Sequence, residues 1–137
     1  PEGWQLATDW HFRELEVEFG LNPVQAASFG WRGAHADSFK FGLFTARPAG
    51  FVGIENGETL LYDIGNTAYY WVNSWRKDKS TTISYAIAKE ECQVYRGNVN
   101  TKDLLLPVRC VKINELDCKT TDDSDPCQNN LRWEARK

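Results

Sequence analysis

The chain's two histidines, His11 and His35, are the first candidates for catalysis. Neither lies near a serine or cysteine in a nucleophile motif such as GxSxG, so no catalytic triad follows from the spacing. Cys92, Cys110, Cys118 and Cys127 include no CxxC pair. With so few histidines they make no zinc-ligand pattern, whereas an even cysteine count in a loop-rich chain suits disulfides and an oxidising compartment. Cys118 and Cys127 enclose a short polar loop without apolar residues of its own to hold it, so a bridge between them is expected.

The same acidic loop, DCKTTDDSDPC, offers Asp117, Asp122, Asp123 and Asp125 as oxygen donors of the kind calcium prefers. It lacks the turn glycine and closing glutamate of an EF-hand and reads as a solvated loop, so no metal site is assigned. The run TAYYWVNSWRKDK is richer. On a strand it places Tyr69, Trp71, Asn73 and Trp75 on one face and Tyr70, Val72 and Ser74 on the other, and one face must be core. Exposed rings beside Asn73, Arg76 and Asp78 would suit a sugar, whose apolar face stacks on a ring while its hydroxyls need directional partners. Trp75, nearest the charged turn, is the ring expected to be exposed. Asn73, Trp75, Arg76 and Asp78 are therefore the candidate ligand-binding residues.

These side chains need a scaffold. At 137 residues, 42% of them hydrophobic, the chain can enclose one core and is too short to divide comfortably into two domains. Its 16 basic and 19 acidic residues give a net charge of -3, and the basic ones are scattered, which argues against nucleic acid as a partner. No run reaches the roughly 20 consecutive apolar residues that would span a bilayer, so membrane insertion is not expected either. With no methionine, the chain is expected to be a processed mature form or a piece of something longer.

Thr8 or Asp9 can cap a helix that Gly20 stops. On it Phe12, Leu15 and Phe19 share one face, while Trp10 and Val17 fall nearly opposite. That second stripe needs cover, either from Leu131 and Trp133 in the tail or from another subunit, and it makes Trp10 and Val17 the candidate interface. Asn22 and Pro23 cap and open a second, shorter helix to Ala27 or Ser28. From Trp31 to Ser80 the punctuation reads as loops and brief strands. TTISYAIAKEECQVYR alternates at Ile83, Tyr85 and Ile87, then shifts phase to Cys92 and Val94, as a bulge or break near Lys89 to Glu91 would cause. After GNVNTKD, the run LLLPVRCVKI puts Leu104, Leu106, Val108 and Cys110 on one face, so the two segments look like an antiparallel hairpin. The expected core is Phe12, Leu15, Phe19, Trp4, Trp31, Ile83, Tyr85, Ile87, Val94, Leu106 and Val108.

Four ordered motifs, PEGWQLATDWHFRELE, FTARPAGF, YYWVNSW and QVYRGNVNTKDLLLPVRCVK, resemble the Fibrobacter succinogenes major paralogous domain over roughly residues 1 to 112. The resemblance implies an α+β, C-type lectin-like fold with two helices packed on a twisted antiparallel sheet and a long loop-rich region. It places that domain over residues 1–113, with a C-terminal extension over 114–137 packing on or beside it. Family members usually carry a cysteine just before the Pro-Glu-Gly-Trp, and the resemblance implies that this cysteine bridges to the one matching Cys110. In its absence Cys92 is the available neighbour, on the apolar phase of an adjacent strand.

The formylglycine-generating enzymes share a related fold and use a close cysteine pair, which Cys92 and Cys110, being widely spaced, do not resemble. The calcium-dependent sugar motifs of true C-type lectins are also absent. The sequence therefore points to a non-enzymatic, secreted or cell-surface domain for recognition or adhesion. Its expected partner is a carbohydrate or protein ligand, and no cofactor is implied. A structural subunit of an extracellular assembly is the alternative, and an enzyme of the formylglycine-generating type is the weaker one.

Overall fold

A computed structural model describes residues 2–73 and 81–112. Thr8 is the N-cap of helix α1 (Asp9–Glu18): its hydroxyl oxygen accepts from the His11 amide at 3.3 Å, and His11 Nδ1 accepts from the Thr8 amide at 2.8 Å. This reciprocal box satisfies two amides at the helix start. Asn22 Oδ1 accepts from the Val24 amide at 2.8 Å and caps α2 (Pro23–Ala27), with proline in the first turn where no amide is missed.

A third helix, α3 (Ala36–Phe41), stands in the region that the sequence reads as loops and strands. Its supports are far away in the chain. The Ala36 amide donates to the Cys92 carbonyl at 2.9 Å, Lys40 Nζ donates to the carbonyls of Lys89 and Glu91 at 2.9 and 2.8 Å, and Phe39 is fully buried. Tertiary contacts rather than a local pattern make this helix, which is why periodicity missed it.

Strand β1 (Trp4–Leu6) pairs antiparallel with β9 (Cys110–Lys112). The central sheet runs in the order β2 (Gly30–Arg32), β7 (Val94–Asn100), β6 (Thr81–Ala88), β5 (Thr67–Trp71), and a third sheet runs β4 (Glu58–Tyr62), β3 (Phe51–Glu55), β8 (Leu104–Leu105). All named strand pairings are antiparallel, so the fold is α+β. Isolated parallel bridges, Thr8 to Asn73, Gly50 to Ala68 and Trp71 to Val108, tie the other segments to the β5 edge. At Gly50 the chain passes so close that an added Cβ would lie 2.0 Å from the Tyr62 carbonyl oxygen, and its φ of 65° is itself a glycine conformation.

The expected hairpin is replaced by another. Of the two explanations for the phase shift after Ile87, the break is the one found: β6 ends at Ala88, the chain turns at Lys89 and returns as β7, with Ala86 opposite Tyr95 and Thr81 opposite Asn100. LLLPVRCVK instead divides, its first part pairing with β3 and its last with β1. Pro107, which has no amide to give a ladder, lies between the two parts. This division also changes the expected core.

Phe12 is the centre of that core, with its ring 4.4 Å from Tyr85, 5.7 Å from Phe44, 6.0 Å from Tyr70 and 6.4 Å from Phe39. Leu15, Ile83, Ile87 and Val94 are buried with it, and Phe19 packs against its edge. Trp4 and Leu106 are only half-buried, while Trp31 and Val108 are exposed. Val108 follows from the divided run, and Trp31 from its place on the edge strand β2, turned away from α1. Among the described residues no helix is long and apolar enough to cross a membrane.

Candidate functional site

Alternation along β5 settles which aromatic face is core. Tyr70 and Val72 are buried, so Tyr69 and Trp71 stand half-buried on the opposite, outer face of the central sheet. The pairing register extends that face across four strands: Tyr69 lies opposite Ala86, Ala86 opposite Tyr95, and Tyr95 opposite Trp31. The next row joins Trp71, Ser84 and Gly97. Small residues on the middle strands thus form a floor, and rings rise on both sides.

Tyr95 lies across Gly97, where an added Cβ would meet the phenol oxygen at 2.5 Å. Its ring is 5.4 Å from that of Trp31. On the far side Phe51 stands edge-on to Tyr69, with centroids 5.2 Å apart, and stacks on Tyr62 at 5.1 Å. The Tyr69 hydroxyl donates to Asp63 at 3.1 Å, and burial first, then this carboxylate, raises its pKa above the ordinary phenol value. Between the two sheets is a cleft of about 200 Å³, bounded by Phe51, Tyr69, Tyr95 and Leu106, with Ser84 and Asn98 as polar lining. Apolar and aromatic walls with a few polar groups are the usual composition of a small-ligand site.

The inner face of the same sheet is charged but closed. Fully buried Glu16 receives two bonds from Arg32, at 2.6 and 2.9 Å, and its Oε1 also accepts from His35 Nε2 at 3.0 Å. Arg32 also donates to the Ala26 carbonyl at 2.8 Å. Beside it Asp9 takes two bonds from Arg96, at 2.7 and 2.8 Å, and one from the Tyr85 hydroxyl at 2.9 Å. Burial pushes the Asp9 carboxyl up, but the bonds and charge of Arg96, with Tyr85 and Arg13, outweigh it and hold the pKa below the ordinary value. Tyr85 is held well above the phenol range, by burial first and then by the charges of Asp9 and Glu16.

Both histidines are therefore placed. His11 completes a helix cap and His35 orients a buried carboxylate.

Of the ligand residues read from the sequence, Asn73 is exposed just past β5, its amide donating to the Ala7 carbonyl at 2.8 Å. Trp75, Arg76 and Asp78 lie outside the described residues, as do Cys118, Cys127, the acidic loop, Leu131 and Trp133. Trp10 and Val17 are half-buried, the Trp10 ring edge-on to His11 at 5.4 Å. Cys92 and Cys110 are exposed free thiols. The expected neighbourhood fails with the expected hairpin, because Cys92 sits in the β6–β7 turn while β9 pairs with β1.

Sequence reasoning missed Phe51, Ser84, Tyr95 and Tyr62. The usable signal was the phase opposite Ile83, Tyr85 and Ile87, namely the small pair Ser84 and Ala86, together with a tyrosine two residues before Gly97. No protein-family model matches the chain, and neither a curated protein nor a solved structure does.

Proposed function

We propose that this chain is a non-enzymatic recognition domain of the secreted or cell-surface kind, with a C-type lectin-like fold as its resemblance to the Fibrobacter succinogenes major paralogous domain implies, and that the cleft takes carbohydrate. The observation that carries this reading is the registered row Tyr69, Ala86, Tyr95, roofed by Phe51 and lined by Ser84 and Asn98. Rings set around a small floor stack on the apolar face of a sugar, and the hydroxyl and amide supply directional bonds. A glycan array followed by calorimetric titration of the hits tests it. Tyr95→Ala is expected to weaken binding about tenfold, the equivalent of ~1.4 kcal/mol. An array without hits, or hits indifferent to both Tyr95→Ala and Phe51→Ala, would end the reading.

Assembly into an extracellular structure is the second reading, and it has an observation of its own. Phe41 and Leu43 are 83% and 82% exposed around the end of α3, far more open than Trp10 or Val17. An apolar pair this open suits a protein interface. Sedimentation of Leu43→Ser beside the parent chain tests it, with loss of self-association expected.

A further inference from the structure

We propose that the sugar cleft continues past Phe51 into a second subsite that takes a cationic residue of the glycan, an amino sugar with its ammonium free. This rests on the carbohydrate reading above. Phe51 and Leu104 border both the cleft and a neighbouring hollow of about 430 Å³, whose other walls are Gly53, Ile54, Glu55, Tyr62 and Asp103. The two spaces therefore share a wall and are adjacent along β3.

The second hollow differs in charge. Two acidic residues, Glu55 and Asp103, line it, and among the described residues neither is in a salt bridge with a lysine or arginine. Glu55 Oε1 accepts from the Tyr62 hydroxyl at 2.6 Å, a bond that fixes the carboxylate and raises the Tyr62 pKa. The Tyr62 ring itself lies over Gly53, where an added Cβ would meet ring carbon at 2.8 Å. A tyrosine lying across a glycine therefore recurs in both hollows, in one beside polar uncharged groups and in the other beside two acids. Fixed negative charge against an aromatic wall favours an organic cation, through ion pairing and the ring's negative face. Two carboxylates are few for calcium, which takes about six to eight oxygens. No group of three or more His, Cys, Asp or Glu that could hold a metal occurs among the described residues.

The probes are a tetramer of glucosamine and its fully N-acetylated counterpart, which share a backbone and differ in charge, titrated at low salt and at a pH that protonates the amines. The deacetylated tetramer is expected to bind about tenfold more tightly, with the preference shrinking as salt is raised. In Glu55→Gln combined with Asp103→Asn the ratio of the two affinities should fall to about one. Both residues are exposed, and glutamine keeps an acceptor for Tyr62, so circular dichroism should be unchanged. Equal binding of the two tetramers, or a preference that survives the double substitution, overturns the second subsite while leaving the sugar reading intact. Tetralysine binding as tightly as the glucosamine tetramer overturns it as well, by making the site one for cationic peptides. If the array has no hits and neither tetramer binds, the carbohydrate reading itself falls.

Discussion

The two faces of the central sheet are built from alternate residues of the same strands, yet they treat polar groups in opposite ways. On the inner face Glu16, Arg32, Asp9, Arg96 and Tyr85 are bound to one another. On the outer side the Tyr95 ring lies over Gly97, and in the adjoining third sheet Glu55 and Asp103 line a hollow without a salt-bridge partner among the described residues. Burial explains the difference. A charge removed from water must be satisfied within the fold, whereas one at an open cleft can wait for a ligand. The prominence of a charged residue in the sequence therefore says little about function until its partners are known.

The largest test of this contrast is Glu16→Ala, which leaves the Arg32 guanidinium buried without its carboxylate. The expected cost is about 3 to 5 kcal/mol, read as a lowered denaturation midpoint. Leu15→Ala, on the same helix but apolar, should cost about 2 to 5 kcal/mol by opening a cavity. An unchanged midpoint would mean that the α1 face is misassigned.

Acid should find the inner face next. Since the folded pKa of Asp9 is depressed, its contribution is fully present above the ordinary aspartate value of about 3.9 and is lost as the pH falls through the lowered folded value. Asp9→Asn should flatten this part of the stability profile. A parent chain as stable at pH 2 as at pH 6 would contradict the assignment.

The outer face should respond in binding more than in stability. Gly97→Ala forces the Tyr95 ring aside at a cost of about 1 to 3 kcal/mol and should abolish the effect of a further Tyr95→Ala on sugar binding. Smallest of all, Phe41→Ser should change stability by no more than about 0.5 kcal/mol, because an exposed ring has little packing to lose. A large loss there would show that the ring is covered in solution.

Local signals were the legible ones. The cap at Thr8, the Asn22 and Pro23 start, the apolar face of α1 and the alternation of β6 all follow from residues near one another in sequence, and the structure has them. What was illegible depends on distant partners. α3 is held by the β6–β7 turn, LLLPVRCVK divides between two sheets, and the cleft needs Phe51 brought over Ser84 and Ala86. Alternation separated the two faces of β5 without saying which was inside, because both carry large rings. The partners of the two histidines, a helix cap for His11 and a buried carboxylate for His35, required the fold.

The inner-face ion pairs also differ in how much chain they close, and this gives folding an order. Arg32 and Glu16 are 16 residues apart, whereas Arg96 and Asp9 are 87 apart. By the logarithmic law for loop closure the longer link costs about 1.5 kcal/mol more entropy if formed alone. The helical N-terminal third can therefore gather around Glu16 early, while Asp9 is engaged only once the β6–β7 hairpin docks and closes the longer loop. On entropy alone the two guanidinium–carboxylate pairs are expected to form in succession, the shorter loop first.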